Sequence, residues 1–352
     1  MTLLAAHERE LLPGTAAPAT VYDCAFLDLD GVVFIGTQPI EQAAEALAQA
    51  RTLGMRLAFV SNNSLHPPAD VADKLGDFEV AAQPGDVVTC SQALAEVLAG
   101  QYGRGARVLA IGGEGLTQAL SEVGLHVVDS ADDEPQAVAQ GFGGPDMPFS
   151  RFTEACLAIR AGIPWYATNP DPTMLTDRGL GPGNGAAVEL LCASTGQTPF
   201  VAGKPYSPIY DAALKRTGAK RPLCVGDRLD TDIAAGYRNG ADSLLVLTGI
   251  TDPEQLVAAP PDQRPTYIAD NLHDGLLSSH PAVTRTGDNA SRCNGWTARA
   301  DTTVLDLYGE GSALDALRAV CHAAWTAAPR TPSTLTLTSA LRAMSASREA
   351  KD

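Results

Sequence analysis

Cys24-Ala25-Phe26-Leu27-Asp28-Leu29-Asp30-Gly31 is four apolar residues, then two carboxylates spaced two apart, then a glycine. Such a short apolar run fits a buried strand, and residues two apart at its end share a face. Carboxylates so placed can hold a hard cation through oxygen, and one of them can attack phosphorus to form an acyl phosphate. Standing alone, the stretch reads equally well as a solvated Asp-x-Asp-Gly turn. It is not an EF-hand loop, which would require an acid at Phe26 and a glutamate at Thr37.

Three further stretches join it. A second strand, about Arg56–Val60, ends in Ser61-Asn62-Asn63-Ser64. Open α/β sheets bind ligands at the carboxyl ends of their strands. There a hydroxyl, amides and free backbone N–H groups suit phosphate oxygens, although Ser-Asn-Asn alone is more often a turn or a helix cap. Gly203-Lys204-Pro205 holds a single cation on a tight backbone. It could bind phosphate and keep a nucleophile ionised; in isolation it reads as a surface lysine. Gly226-Asp227 follows the strand Leu223–Val225, so Asp227 is the candidate to complete a metal shell with Asp28 and Asp30. Asp230 and Asp232 open the next helix, where acids also cap, leaving Asp232 a supporting or capping role.

The rest of the chain alternates strand-like and helical runs, which predicts an α/β fold with a parallel sheet. A helix beginning near Pro39 and ending before Gly54 presents Ile40, Ala43, Ala44 and Leu47 on one face. The pattern restarts near Pro84. Helices are predicted at Ser91–Ala99, Gly115–Val123, Phe152–Ala161 and about Asn184–Ala193, and strands at Arg107–Ile111, Ala137–Gly141 and Trp165–Thr168. This inventory suffices for a separate α/β unit inserted between the two halves of the site. The expected organisation is a catalytic core at 1–85 and 200–280, an inserted cap at 86–199, and a linker with a small C-terminal domain at 281–352. Ser207–Arg216 and Thr231–Gly240 read as helices, Ser243–Leu247 and Thr266–Ala269 as strands. About Ser278–Asn294 reads as a polar linker, Trp296–Tyr308 as a strand pair and Ser312–Ala327 as an amphipathic helix expected to pack on the core through Leu314, Leu317, Val320 and Trp325.

Composition sets bounds. The 352 residues exceed one compact core. With 45% hydrophobic and 19% charged residues the chain is globular, and its net charge of −16 comes without any basic run, so no nucleic-acid partner is expected. An anionic substrate must then be drawn by a metal and a few local cations. Seven scattered cysteines without a C-x-x-C pair read as reduced thiols of a cytoplasmic protein. Leu3-Leu4-Ala5-Ala6 is cut short by His7-Glu8-Arg9-Glu10, and no stretch reaches ~18 apolar residues, so neither a signal segment nor a membrane span is expected.

Taken in order, strand-Asp-x-Asp-Gly, strand-Ser-Asn-Asn, Gly-Lys-Pro and strand-Gly-Asp-x4-Asp resemble the four motifs of the haloacid dehalogenase superfamily of phosphatases. The likeness covers about residues 21–275. It is nearest to the branch with a large α/β cap between the second and third motifs, which includes 4-nitrophenyl phosphatase-like, pyridoxal phosphate and phosphoglycolate phosphatases. Ala167-Thr168-Asn169-Pro170-Asp171, Pro182-Gly183-Asn184-Gly185 and Gly226–Ile233 also match. The resemblance implies a Rossmann-like core and Mg2+ as cofactor. Asp28 would be the nucleophile, and Asp30 the general acid and base, giving a backbone carbonyl to the metal. Ser61, Asn62 and Asn63 would bind phosphate, Lys204 would bridge phosphate and nucleophile, and Asp227 would bind Mg2+.

In this branch the cap faces the leaving group. Pyridoxal phosphate phosphatases carry a histidine where this chain has Met174, three residues after Asp171, which counts against a pyridoxal ring; simple cap packing explains Met174 equally well. Asp-Pro-Thr at 171–173, Arg264–Ile268 and the small C-terminal domain resemble glycerol 3-phosphate phosphatases of actinobacteria. Such C-terminal domains resemble part of an acetyltransferase fold, but 290–352 holds no acetyl-CoA phosphate loop, so acetyl transfer is not expected. The expected activity is hydrolysis of a small phosphorylated metabolite, foremost glycerol 3-phosphate. A broader phosphatase of sugar, nucleotide or aryl phosphates, a mutase, and a phosphometabolite-binding regulator are the alternatives. The last is disfavoured by the intact Asp28 and Asp30 pair. Cap-mediated dimers are common in this branch, which makes a homodimer an expectation.

Overall fold

The structure is a computed structural model, and it describes residues 11, 16–176, 178–287, 289–300 and 305–326. The Leu3–Ala6 run and the tail after Pro329 lie outside them. Six parallel strands form the first sheet, in the order Tyr267–Ala269, Asp242–Val246, Pro222–Gly226, Cys24–Leu27, Arg56–Ser61, Val87–Thr89. Leu27 pairs with Val225 on one side and Phe59 on the other, so three neighbouring strands end close together at one edge, Gly226 and Ser61 running slightly past Leu27. Val87–Thr89, read from sequence as part of the inserted segment, is the edge strand here.

A parallel sheet is apolar on both faces, and this one sorts its side chains accordingly. Ala25, Leu27, Leu57, Phe59, Leu223, Val225, Leu244 and Val246 pack with the Ala43–Thr52 helix on one face. Cys24, Phe26, Ala58, Val60 and Cys224 pack against Cys90–Tyr102 and Ser207–Thr217 on the other. Leu245 and Ile268, toward the far edge of that second face, are covered differently. They lie in a cluster with Leu229, Ile233, Leu256, Leu314, Leu317, Val320 and Trp325, so the Ala313–Thr326 helix closes the sheet as its spacing anticipated.

Between the strand Val87–Thr89 and Gly203 the chain builds a second parallel sheet, in the order Phe200–Val201, Trp165–Ala167, Ala137–Gln140, Arg107–Ile111, His126–Val128, and a hairpin of Thr173–Thr176 with Gly179–Pro182. Both ends of this excursion meet the first sheet near Lys204. A four-stranded antiparallel meander follows: Val283–Gly287, Ala290–Cys293, Trp296–Ala300 and Leu305–Gly309. Two expectations are corrected. The stretch read as a linker supplies two of these strands; Val283–Gly287 is an edge strand with mostly exposed side chains, so it carries no apolar signal. Pro39 does not open a helix: Gln38–Pro39 pairs with Phe34–Ile35, and the helix begins at Ala43. No helix among the described residues is long and apolar enough to cross a membrane.

Candidate active site

Asp28 follows Leu27, and its N–H donates to Val225 O (2.9 Å), extending the ladder to the last rung. Asp227 follows the adjacent strand. The two acids are thus delivered side by side by strand register alone. Lys204 arrives from the return of the second sheet and passes its Nζ between Asp28 Oδ1 (2.6 Å) and Asp232 Oδ1 (2.7 Å). The three side chains are 14%, 7% and 3% exposed for Asp28, Lys204 and Asp232 respectively. Burial alone would lower the ammonium's pKa; Asp232 and Asp28 overcome it and hold Lys204 charged, well above the ordinary lysine range.

Asp28, Asp227 and Asp232 each present a carboxylate oxygen, all within 4.8 Å of one another. Three acids against one lysine leave negative charge in a buried place. Desolvation and mutual repulsion accordingly push Asp227 and Asp232 above the ordinary aspartate range, Lys204 partly countering this at Asp232. Asp227 Oδ2 accepts from Ile250 N (2.7 Å), while its buried Oδ1 has no hydrogen-bond partner. A buried, unpaired carboxylate oxygen within an acidic cluster fits a hard divalent cation.

Small residues make this possible. Around Asp227, a Cβ on Gly31 would lie 2.5 Å from Oδ2, and one on Gly249 2.0 Å from it. Beside Asp232, a Cβ on Gly226 would lie 2.1 Å from its Cγ. Asp232 was expected only to support or cap. Instead a π-helical turn at Leu229–Ile233 swings it back over Gly226, and Arg228 N donates to Oδ2 (3.2 Å). π turns are a recurrent device at functional sites.

Asp30 is exposed to solvent and its carboxylate is not in the cluster. Crowding by protein and the nearby Asp28 charge push it up to about 6, against Lys74, a Gly36 backbone hydrogen bond and Lys204. Ser61 ends its strand buried, accepting from Asn63 N (3.1 Å). The two asparagine side chains are engaged elsewhere. Asn63 Oδ1 accepts from Leu65 N (2.8 Å) and His66 N (3.2 Å). Asn62 Oδ1 accepts from Lys204 N (2.8 Å), and its Nδ2 donates to Lys204 O (3.1 Å) and to both Asp171 oxygens (3.2 and 3.1 Å). Asn62 thus acts as a strut for Lys204, a role its place after Ser61 did not announce. Met174 is half-buried on the Thr173–Thr176 strand, opposite Gly181 in the hairpin.

Converging acids and one buried lysine at the carboxyl edge of a parallel sheet give an enzyme-like α/β site. A model of haloacid dehalogenase-like hydrolases matches residues 25–126, and a HAD-hydrolase-like model matches 201–275. The chain belongs to this family, and relatives it matches include phosphatases. It is 41% identical over 314 residues, 88% of this chain and 87% of the relative, to D-glycerol 3-phosphate phosphatase of Mycobacterium tuberculosis. It is 38% identical over 257 residues, 72% of this chain and 98% of the relative, to a 5'-nucleotidase of Bacillus subtilis. Among solved structures it resembles the Mycobacterium tuberculosis glycerol phosphate phosphatase in complex with magnesium, with TM-score 0.84 and 39% identity over 94% of this chain and 98% of that one. A model of a GCN5-related N-acetyltransferase like domain matches residues 293–346.

Proposed function

We propose that this chain is a Mg2+-dependent phosphomonoesterase that works through an aspartyl phosphate, with glycerol 3-phosphate as the foremost substrate. The observation that carries the reading is the Lys204 bridge between Asp28 and Asp232 beside the orphaned oxygen of Asp227. It supplies a carboxylate nucleophile paired to a lysine, a fixed cation for phosphoryl oxygens and a metal shell in one place.

Mg2+ would be held by Asp28, Asp227 and Asp232, with the Asp30 main-chain carbonyl that the family likeness adds, and would supply positive charge against the phosphoryl oxygens. The chain's own groups do the rest. Lys204 takes one oxygen of Asp28, leaving Oδ2 without a hydrogen bond among the described residues. A carboxylate oxygen of Asp28 attacks phosphorus, and Asp30 gives its proton to the departing alkoxide. Asp30, now ionised, takes a proton from water as that water attacks the aspartyl phosphate; inorganic phosphate leaves and Asp28 is restored. Ser61 Oγ and the backbone of its loop are the donors for phosphoryl oxygens, and Lys204 offsets their charge.

The substrate preference draws on the 41% identical glycerol 3-phosphate phosphatase, the relative cited above that also spans the C-terminal region. A broader specificity for nucleotide, sugar or aryl phosphates is supported by relatives over 72% of the chain, among them an acid sugar phosphatase of Staphylococcus aureus and the p-nitrophenyl phosphatase of Archaeoglobus fulgidus. The test is phosphate release with Mg2+ from glycerol 3-phosphate, phosphoglycolate, pyridoxal phosphate, sugar phosphates and nucleotides, for wild type and Asp28→Asn. We expect release to fall by about 10^3-fold or more in the variant. Equal release from both proteins would refute the aspartyl-phosphate route.

A further inference from the structure

We propose that Asp171 is a specificity residue whose carboxylate accepts hydrogen bonds from hydroxyl groups of the leaving group. The inference rests on the phosphomonoesterase reading above and assigns a leaving-group chemistry to that site.

The carboxylate is held in place. Ala202 N donates to Ala167 O (3.1 Å) and Gly203 N to Thr168 O (2.7 Å), tying the start of the segment to the chain that leads into Lys204. Asn169 Nδ2 donates to Asn62 O (2.8 Å), Asn184 Nδ2 to Asn169 O (2.8 Å), and Gly185 N to Asp171 O (2.7 Å). The Asn62 amide that engages both Asp171 oxygens also bonds the Lys204 backbone. Asp171 therefore stands on the same strut as the lysine that touches the nucleophile, and the charges of Lys204 and Asp28 both act on it.

Asp171 is half-buried, and protein groups leave part of its acceptor capacity open. An ionised carboxylate offers about four acceptor positions, and Asn62 is its only donor among the described residues. Arg228, whose charge also acts on Asp171, turns its Nε (3.1 Å) and Nη2 (2.9 Å) to Asp230 instead. Asp171 is not in the acidic cluster that fits a cation, and a phosphate dianion would repel it. Burial pushes its carboxyl up to about 6, so near neutral pH it is largely a carboxylate, with acceptor positions open to a ligand's hydroxyls. Hydroxyls satisfy it; a leaving group bearing its own carboxylate does not.

The experiment compares full-length wild type and Asp171→Asn with Mg2+ on glycerol 3-phosphate, which carries two free hydroxyls, on p-nitrophenyl phosphate, which carries none, and on phosphoglycolate, which carries a carboxylate. Asparagine is isosteric, and thermal unfolding checks the fold. We expect the ratio of kcat/KM for glycerol 3-phosphate to that for p-nitrophenyl phosphate to drop about tenfold or more, chiefly through KM, while phosphoglycolate gains relative to glycerol 3-phosphate. An equal fall on all three substrates would make Asp171 a structural part of the Asn62 strut and overturn the assignment, as would an unchanged ratio. If wild type hydrolyses none of them, the phosphatase reading fails. Calorimetric binding of glycerol 3-phosphate to Asp28→Asn and to Asp28→Asn/Asp171→Asn then decides: weaker binding in the double variant sustains the hydroxyl contact, and equal binding removes it.

Discussion

Gly31 and Gly249 are fixed by what sits beside them. Asp227 occupies the space a Cβ would need at either position, and Gly31 also has φ of 77°, which L side chains rarely adopt. We expect Gly249→Ala to displace the Asp227 carboxylate and raise the Mg2+ concentration for half-maximal activity about 10- to 100-fold, measured by metal titration; an unaltered requirement would show that Asp227 does not hold the ion. Asp30 makes a pH prediction. As the acid it must be protonated when the leaving group departs, and its carboxyl is raised to about 6. The protonated fraction therefore survives to higher pH than for an ordinary aspartate and is lost above about 6. The kcat/KM of an alkyl phosphate should fall on that alkaline side. An aryl phosphate, whose phenolate leaves without a proton, should show a shallower limb. Identical limbs would take the acid role from Asp30.

At the scale of elements, legibility followed locality. Apolar runs ending in acids gave the central strands, because each run carries its own burial signal, and the fold brings Asp28 and Asp227 from those runs together with Lys204. Asp232 reads in sequence as a helix-opening acid because the π turn that returns it to the cluster carries no local sequence signal of its own. Asn62 sits where the family resemblance implies a phosphate ligand, while the side-chain partners the fold gives it, Lys204 and Asp171, lie 142 and 109 residues away, beyond any local signal. The first two strands of the C-terminal meander were hidden by exposed edge residues and a turn-rich stretch. The last helix was legible, since its apolar stripe needs a partner, and the structure places Leu317 fully buried among residues of both the sheet and the meander. Leu317→Ala should cost about 2–5 kcal/mol in urea unfolding. A loss below about 0.5 kcal/mol would mean that the helix does not cover the sheet.

At the scale of the whole molecule, the acidic site works against the fold. Asp227 and Asp232 bind protons more tightly folded than unfolded. By linkage, stability without metal is then greatest while they stay protonated and declines as pH rises above the ordinary aspartate value of about 4. A bound dication removes the repulsion, so Mg2+ should raise Tm more at pH 8 than at pH 5. Scanning calorimetry with and without chelator checks this, and a larger shift at pH 5 would reverse the argument. The hairpin Thr173–Pro182 has a different consequence. Pro172 O receives Gly183 N (2.9 Å) and Asp171 O receives Gly185 N (2.7 Å), so the chain is clamped on both sides of the hairpin base. What lies beyond that clamp can be lengthened, shortened or exchanged while the reactive atoms keep their places. It is a natural graft point: a designer could swap whole hairpins there, exchanging ten residues while the clamp at its base stays in place.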